Sequence, residues 1–100
     1  MDYDLQPVAQ HIKRSILPKE VMRTHNISTE WSAVSDFAQV RFIHPTGRTV
    51  TVRQTDSPQY RWVTMQRPGS QATTSILARS QNIRGYVLGF LIEGKVPHGL

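Results

Sequence analysis

The feature that most constrains the fold of this chain is a pair of strongly alternating runs, followed by a third and weaker one. They cover residues 40–43, 48–53 and 60–67, where apolar side chains alternate with arginine, threonine and glutamine. A period of two is typical of half-buried β-strands, and Gly47 and Pro58 supply turn chemistry between the runs. We therefore predict three consecutive strands joined as an antiparallel meander: Phe37–Ile43, Thr49–Gln54 and Tyr60–Gln66.

A different period precedes the strands. Apolar residues recur at three- and four-residue spacing, which is typical of one face of an amphipathic helix; they are Leu5, Val8, Ala9, Ile12 and Ile16. Asp4 is a suitable N-cap for this helix. Pro18 disfavours helical backbone at the residue before it, so the helix is expected to end at Leu17.

Two short segments lie between the first helix and the strands. Residues 19–24, which follow Pro18, are predicted to form a second short helix. Residues 28–36 are ambiguous, and a short helix is favoured over a loop because three apolar residues have helical spacing: Trp31, Val34 and Phe37.

The C-terminal third also has a helical pattern. Ser70 is a suitable N-cap, Gly94 fits the position after a helix C-terminus, and apolar residues lie between them: Ile76, Leu77, Ile83, Val87, Leu88 and Leu91. They fit one long helix or two pieces broken near Asn82, and residues 86–90 are also compatible with a strand. The predicted fold class is α+β: a three-stranded antiparallel β-meander with N-terminal and C-terminal helices packed on one face, in one small domain over residues 1–100.

Positive charge is concentrated around the predicted strands. The chain has a formal net charge of +5, and residues 37–92 contain seven arginines but one acidic residue, Asp56. Arginine suits bidentate contacts with phosphate or carboxylate, so this distribution indicates an anionic partner such as DNA or RNA. The alternative is that surplus basic residues only keep a small protein soluble.

Several classes of function lack their signature in this sequence. There is no cysteine, which excludes disulfides and thiolate metal sites and suits the cytoplasm. The first residues lack a signal-peptide pattern, and the longest apolar run, residues 86–92, is too short to span a membrane. The four histidines are far apart in sequence, and no catalytic motif is present. We predict a soluble, cytoplasmic protein that is not an enzyme and holds no metal or cofactor.

Alternation also assigns the side chains of the first two strands to the two faces of the sheet. Val40, Phe42 and Val52 point toward the core, so Arg41 and Arg53 point outward. These two arginines are therefore candidates for contact with an anion.

The third strand has two orientations that fit the pattern. If Val63 faces the core, Tyr60 and Trp62 lie outside beside the arginines, and such an aromatic and basic surface stacks bases and neutralises phosphates. If Trp62 faces the core instead, Arg61 and Arg67 lie outside without an aromatic platform. A lone tryptophan in a small domain is more often in the core, which favours the second orientation.

Two loops are further candidates for anion binding. The turn over residues 44–48 presents Arg48, which would contact a phosphate from a hairpin tip; the alternative is an ordinary exposed turn. Arg67 lies beside the helix start expected at Ser70, where backbone N–H groups favour an anion; the alternative is that Ser70 only caps the helix.

These observations favour a small, basic, non-catalytic nucleic-acid-binding or regulatory protein that acts through an arginine-rich hairpin and sheet face. The predicted binding residues are Arg41, Arg48, Arg53, Arg61, Arg67, Trp62 and Tyr60. The alternative is a protein-binding adaptor or inhibitor module, encoded by a phage or another mobile element, that meets an acidic surface of a larger complex. A homodimer is compatible with both functions.

Overall fold

A computed structural model describes residues 4–97, and within them three α-helices accompany a five-stranded antiparallel sheet. The expectations for the first residues and for His98 lie outside the described range. In chain order the elements are α1 (Gln6–Ile16), α2 (Lys19–Thr24), β1 (Ser28–Val34), β2 (Phe37–Ile43), β3 (Thr49–Gln54), β4 (Tyr60–Gln66), β5 (Thr73–Arg79), a 3₁₀ turn (Ser80–Asn82) and α3 (Ile83–Glu93).

The five-stranded sheet corrects the prediction of a three-stranded meander. Its strand order is β1-β2-β3-β4-β5, and every pair of neighbours is antiparallel. The three central strands have the predicted bounds, whereas β1 and β5 form from segments in which the sequence favours helix. The mixture of helices and an antiparallel sheet remains α+β.

β1 takes the place of the short helix favoured for residues 28–36. Its side chains are mostly exposed, so the alternating apolar signal of a half-buried strand is absent. Its turn into β2 consists of Ser35 and Asp36, and Val34 pairs with Phe37 across it. Ser35 has a φ of 54°, a left-handed conformation for which glycine or asparagine is the usual sequence signal. The hairpin therefore forms without the glycine or asparagine that would predict a turn at this position.

β5 takes the place of the first part of the predicted C-terminal helix. Its first residues are rich in β-branched side chains, which favour strand over helix, and it pairs with β4 from Thr73 to Arg79. Ser70 is consequently not a helix N-cap, and its hydroxyl accepts the N–H of Ala72 at 3.1 Å. Within the predicted helix, only the residues from Ile83 to Glu93 form an α-helix.

The ends of the helices follow the sequence closely. α1 has Leu17 as its C-cap, immediately before Pro18, as predicted. α3 has Gly94 as its C-cap, and the φ of 70° at this glycine is the left-handed conformation expected there. At the other end of α1 the prediction is wrong by one residue: the N-cap is Leu5 and not Asp4, whose carboxylate accepts the N–H of Gln6 at 3.0 Å.

The hydrophobic core lies between one face of the sheet and the helices α1 and α3, which contact the sheet and each other. Alternate strand residues supply one side of this core: Ala38, Val40, Phe42, Val50, Val52, Val63, Met65 and Ala78. The helices supply the other, with Ala9, Ile12 and Ile16 from α1 and Ile83, Val87, Phe90 and Leu91 from α3. Complete burial of one such aliphatic or aromatic side chain contributes roughly 1.5–3 kcal/mol. We call this side of the sheet the helix-covered face.

Candidate functional site

The opposite side of the sheet has no helix on it among residues 4–97, and we call it the open face. Its side chains belong to the strand positions that alternate with the buried ones. They include Glu30, Ser32, Val34, Phe37, Gln39, Arg41, Thr51, Arg53, Tyr60, Trp62, Thr64, Ser75, Leu77 and Arg79. Because no described helix covers it, this face is a candidate surface for a partner.

Trp62 lies in the middle of a cross-strand row on the open face. The pairing register puts Arg53 opposite Trp62 on one side and Leu77 opposite it on the other. Trp62 is 38% exposed and Leu77 is 51% exposed. A shallow groove of about 360 Å³ runs along this row, lined by Gln39, Thr51, Arg53, Trp62, Thr64 and Ser75. An indole and a guanidinium therefore share one accessible groove.

The exposure of Trp62 contradicts the orientation that the sequence favours for the third predicted strand. Val63 and Met65 are buried at 0% and 2% exposure, and strict alternation then turns Trp62 to the open face. The orientation of this strand depends on which of its side chains fill the space under the helices, and Val63 and Met65 fill it instead of Trp62.

Apolar side chains continue from Trp62 toward the β1–β2 turn. A second shallow groove of about 320 Å³ is lined by Val34, Phe37, Arg53 and Trp62 together with Ser35, Gln54, Thr55 and Asp56. Val34 is 38% exposed. With Leu77, these residues give the open face a mixed apolar and polar character.

The open face has few charged side chains, and they differ in the partners that they contact. Arg41 lies 3.8 Å from the Glu30 carboxylate across the β1–β2 pair, with both side chains more than half exposed. Arg79 places its guanidinium 5.6 Å from the centre of the Tyr60 ring, a distance at which cation and ring attract each other. Arg53 forms no ion pair among the described residues. Its side chain is partly buried beside Trp62, whereas Arg41 and Arg79 are exposed.

Two of the predicted binding arginines instead hold the C-terminal end of α3. Arg48 donates from Nε to the carbonyl of Leu91 at 2.9 Å and from Nη2 to the carbonyl of Ile92 at 2.8 Å. The last carbonyls of a helix lack partners within the helix and attract cations. α3 has no basic residue in its own last turn, so Arg48 supplies this function from the β2–β3 hairpin.

Arg67 reinforces the same helix end. It donates from Nη2 to the carbonyl of Gly94 at 3.0 Å, and its guanidinium lies 5.6 Å from the centre of the Phe90 ring. The expected anion site beside Ser70 is absent, because no helix begins there. Arg67 points to the helix side of the sheet.

Two more arginines contact α1 from the helix side. Arg84 donates from Nε to the carbonyl of Ile16 at 2.9 Å, and Arg61 donates from Nη1 to the hydroxyl of Ser15 at 3.1 Å. Partial burial lowers the pKa of Arg61, although an arginine remains protonated at physiological pH. Both side chains therefore connect helices to the rest of the fold.

The β2–β3 turn contains a histidine with a perturbed pKa. Partial burial lowers the pKa of His44 below its ordinary value of 6.5, and the charges of Arg48 and His25 lower it further. His44 Nδ1 accepts the N–H of Thr46 at 3.2 Å and lies 2.8 Å from its hydroxyl. An accepting Nδ1 stabilises the neutral ring, because protonation of this atom removes the acceptor.

The structure separates the sequence-predicted site residues into two groups. Arg41, Arg53, Tyr60 and Trp62 lie together on the open face, whereas Arg48, Arg61 and Arg67 contact helices on the other side. Sequence reasoning missed the members of the open face that lie on β1 and β5, among them Val34, Leu77 and Arg79, because it favoured a helix for both segments. The run of β-branched residues before Leu77 was the available signal for a strand.

No group of three or more histidine, cysteine, aspartate or glutamate side chains within residues 4–97 is arranged to hold a metal ion. None of the helices in this part of the chain is long and apolar enough to cross a membrane. No protein-family model matches the chain, and comparisons with curated proteins and with solved structures found no match.

Proposed function

We propose that the open face binds a single-stranded nucleic acid in a non-catalytic, cytoplasmic role. The observation that carries this proposal is the shared groove of Arg53 and Trp62, which are cross-strand neighbours with accessible side chains. A base stacks on an exposed indole whatever its identity, and a neighbouring guanidinium neutralises the adjoining phosphate. The flat surface of a sheet suits splayed bases better than it suits a duplex groove.

The roles of the individual side chains follow from their positions. Trp62 stacks on a base, Arg53 contacts the phosphate beside it, and Arg41 and Arg79 extend the basic track on either side. The hydroxyls of Thr51, Thr64 and Ser75 line the groove between them, where they donate to or accept from base edges. Thr64 and Ser75 already share a hydrogen bond of 2.9 Å.

The number of available arginines limits the electrostatic part of the binding. Three arginines lie on the open face, and one of them faces Glu30. For single strands, the slope of log affinity against log salt is about −0.7 per neutralised phosphate, which gives a slope of roughly −2 for three contacts. We therefore expect weak to moderate affinity with a shallow salt dependence.

The experiment is a titration with short single-stranded DNA and RNA, with the duplex as comparison, followed by the fluorescence of Trp62 in a Trp31→Phe background. We expect quenching on binding to single strands and about tenfold weaker binding for Arg53→Ala. Arg23→Ala is the matched control, because it removes an exposed arginine from α2 and should leave the affinity within twofold. Absence of binding at low salt, or equal losses in both variants, would contradict the proposal.

A second candidate is a protein-binding adaptor or inhibitor. It is favoured by the exposed apolar side chains of Leu77 and Val34, because a phosphate backbone makes no use of them while protein interfaces do. This function predicts a stoichiometric protein complex that survives nuclease treatment, is lost in Leu77→Ser and persists in Arg23→Ala. A complex that dissolves on nuclease treatment would count against it.

A further inference from the structure

The outer edge of β5 is less protected than edge strands usually are. β5 is the last strand of the sheet, so within residues 4–97 no strand lies beside its outward backbone N–H and C=O groups. Natural proteins guard such edges with charged residues, proline or bulges. β5 has no charged residue or proline from Thr73 to Ala78 and keeps a continuous register with β4, and its Leu77 is half exposed.

The other edge strand has more protection. β1 carries Glu30 in its centre, paired with Arg41, and it is the edge that α1 contacts. A charged side chain on an edge strand opposes the approach of a second chain. β5 is therefore the edge on which strand addition meets less resistance.

The hydrogen bonds of β5 determine which of its residues are available to a second strand. The N–H of Ser80 donates to the carbonyl of Gln59 at 2.8 Å, toward the β4 side. Backbone groups of an antiparallel strand point to its two neighbours alternately, so the even-numbered residues of β5 bond to β4. The odd-numbered residues therefore direct their N–H and C=O groups outward: Thr73, Ser75, Leu77 and Arg79.

We propose that two copies of the chain form a dimer by antiparallel pairing of β5 with β5 about a two-fold axis at Ile76. In this register Thr73 lies opposite Arg79 of the second copy, and Ser75 lies opposite Leu77 of the second copy. All four outward residues then form hydrogen-bonded pairs, and two bonds per pair give about eight bonds between the chains. Moving the second copy by two residues in either direction leaves only three hydrogen-bonded pairs. Moving it by one residue places outward backbone groups of one copy opposite inward groups of the other, so no hydrogen-bonded pairs form.

The side chains are compatible with this register on both faces. Ile76, which is partly buried against the core, meets its own copy in a non-hydrogen-bonded pair, where side chains approach closely. Arg79 meets Thr73 and not a second arginine, so no like charges are opposed. Leu77 loses exposure because a neighbouring strand covers its flank.

The dimer extends the open face without blocking it. The two sheets become one, and the Trp62 side chains of the two copies lie three strand spacings apart across the sheet, about 14 Å, with an offset of two residues along the strands. The pairing itself involves only backbone groups and β5 side chains, so it holds or fails independently of nucleic-acid binding.

The first test is sedimentation of the protein alone from roughly 1 μM to roughly 500 μM, the range of weak complexes. We expect a monomer–dimer equilibrium in this range, since one strand per copy is a small interface. A protein that stays monomeric at every concentration would overturn the proposal.

A matched pair of variants tests the register. Thr73→Lys opposes Arg79 of the second copy and should weaken the dimer roughly fivefold, whereas Thr73→Glu should tighten it by a similar factor. Thr73 is exposed, so both variants should fold, and circular dichroism checks that they do. If both variants shift the equilibrium in the same direction, or neither does, this register is wrong.

A second readout uses the absence of cysteine from the chain. Ile76→Cys introduces a single thiol that lies opposite itself in the proposed dimer, at about the 4.5 Å Cα separation of a non-hydrogen-bonded pair, which a disulfide tolerates. Mild oxidation should give a crosslinked dimer. Thr74→Cys, which would face Ala78 of the second copy, is the control and should crosslink far less. Equal crosslinking of the two would contradict the two-fold axis at Ile76.

Discussion

The two faces of the sheet place arginines in different surroundings. On the helix-covered side, Arg48, Arg67 and Arg84 donate to carbonyls in or just after the last turns of α3 and α1. On the open face, Arg53 points into a groove beside Trp62. A count of positive charge in the sequence cannot distinguish these surroundings, because an arginine that caps a helix and an arginine that lines a groove contribute the same charge. The charge available to a partner is therefore much smaller than the basic segment suggests.

The largest expected difference between the two faces concerns stability. Phe42 is fully buried beneath the helices, and Phe42→Ala should lower the free energy of unfolding by about 3–5 kcal/mol through lost burial and a cavity. The matched aromatic truncation on the open face, Trp62→Ala, should cost about 1–2 kcal/mol because much of that ring is already in water. Urea denaturation measures both. Equal losses would mean that the open face is packed against something.

The next difference concerns the arginines themselves. Arg48→Ala removes two charge-assisted hydrogen bonds to the carbonyls of Leu91 and Ile92, and should lower the free energy of unfolding by about 1–2 kcal/mol. Arg53→Ala should change it by less than about 0.5 kcal/mol, as is usual for surface positions.

A lysine at position 48 sharpens the same comparison. Arg48→Lys keeps the charge but loses the planar fork that reaches two carbonyls, so it should recover less than half of the lost stability. Complete recovery would show that charge near the helix end matters more than the paired hydrogen bonds.

The smallest expected effect is a pH dependence at the β2–β3 turn. The pKa of His44 is lowered in the fold by partial burial and by Arg48 and His25, so the unfolded chain takes up this proton first. The stability that His44 contributes is present above the ordinary pKa of 6.5. It is lost as the pH falls through that value toward the folded-state pKa.

The measurement is the thermal midpoint of the wild type and of His44→Gln from pH 8 to pH 5. The wild type should lose stability relative to the variant as the pH falls, because only its side chain at position 44 titrates. Parallel curves would exclude His44 as a contributor.

The parts of the fold that the sequence predicts are those in which one face is buried. β2 and β3 alternate cleanly, and β4 more weakly, because their inward residues meet helices, and α1 has a clear apolar stripe. β1 lacks that contrast because both of its faces are largely exposed, and its turn relies on Ser35 in a conformation unusual for serine. The prediction was wrong for β5 because Ile76 and Leu77 fit a helical spacing that continues into α3.

The candidate site is predictable to the same partial extent. Alternation alone places Arg41 and Arg53 on the outer face. The orientation of Trp62 depends on whether it or the pair of Val63 and Met65 fills the core. The general preference of tryptophan for the core gives the wrong orientation here, because the volume under the helices is filled by Val63 and Met65. The positions of Arg48 and Arg67 depend on contacts with a helix end more than twenty residues away in sequence, and no local pattern records them.

The order of the strands has a consequence for how the chain folds. Every pair of neighbouring strands is also consecutive along the chain, so the sheet assembles from successive hairpins, each closing a short loop at low entropic cost. The contacts between distant parts of the chain are those of the helices, such as Arg84 with the carbonyl of Ile16. We therefore expect the sheet to form early and rapidly, as in proteins of low contact order. Docking of α1 and α3, with the arginines closing over their ends, then completes folding.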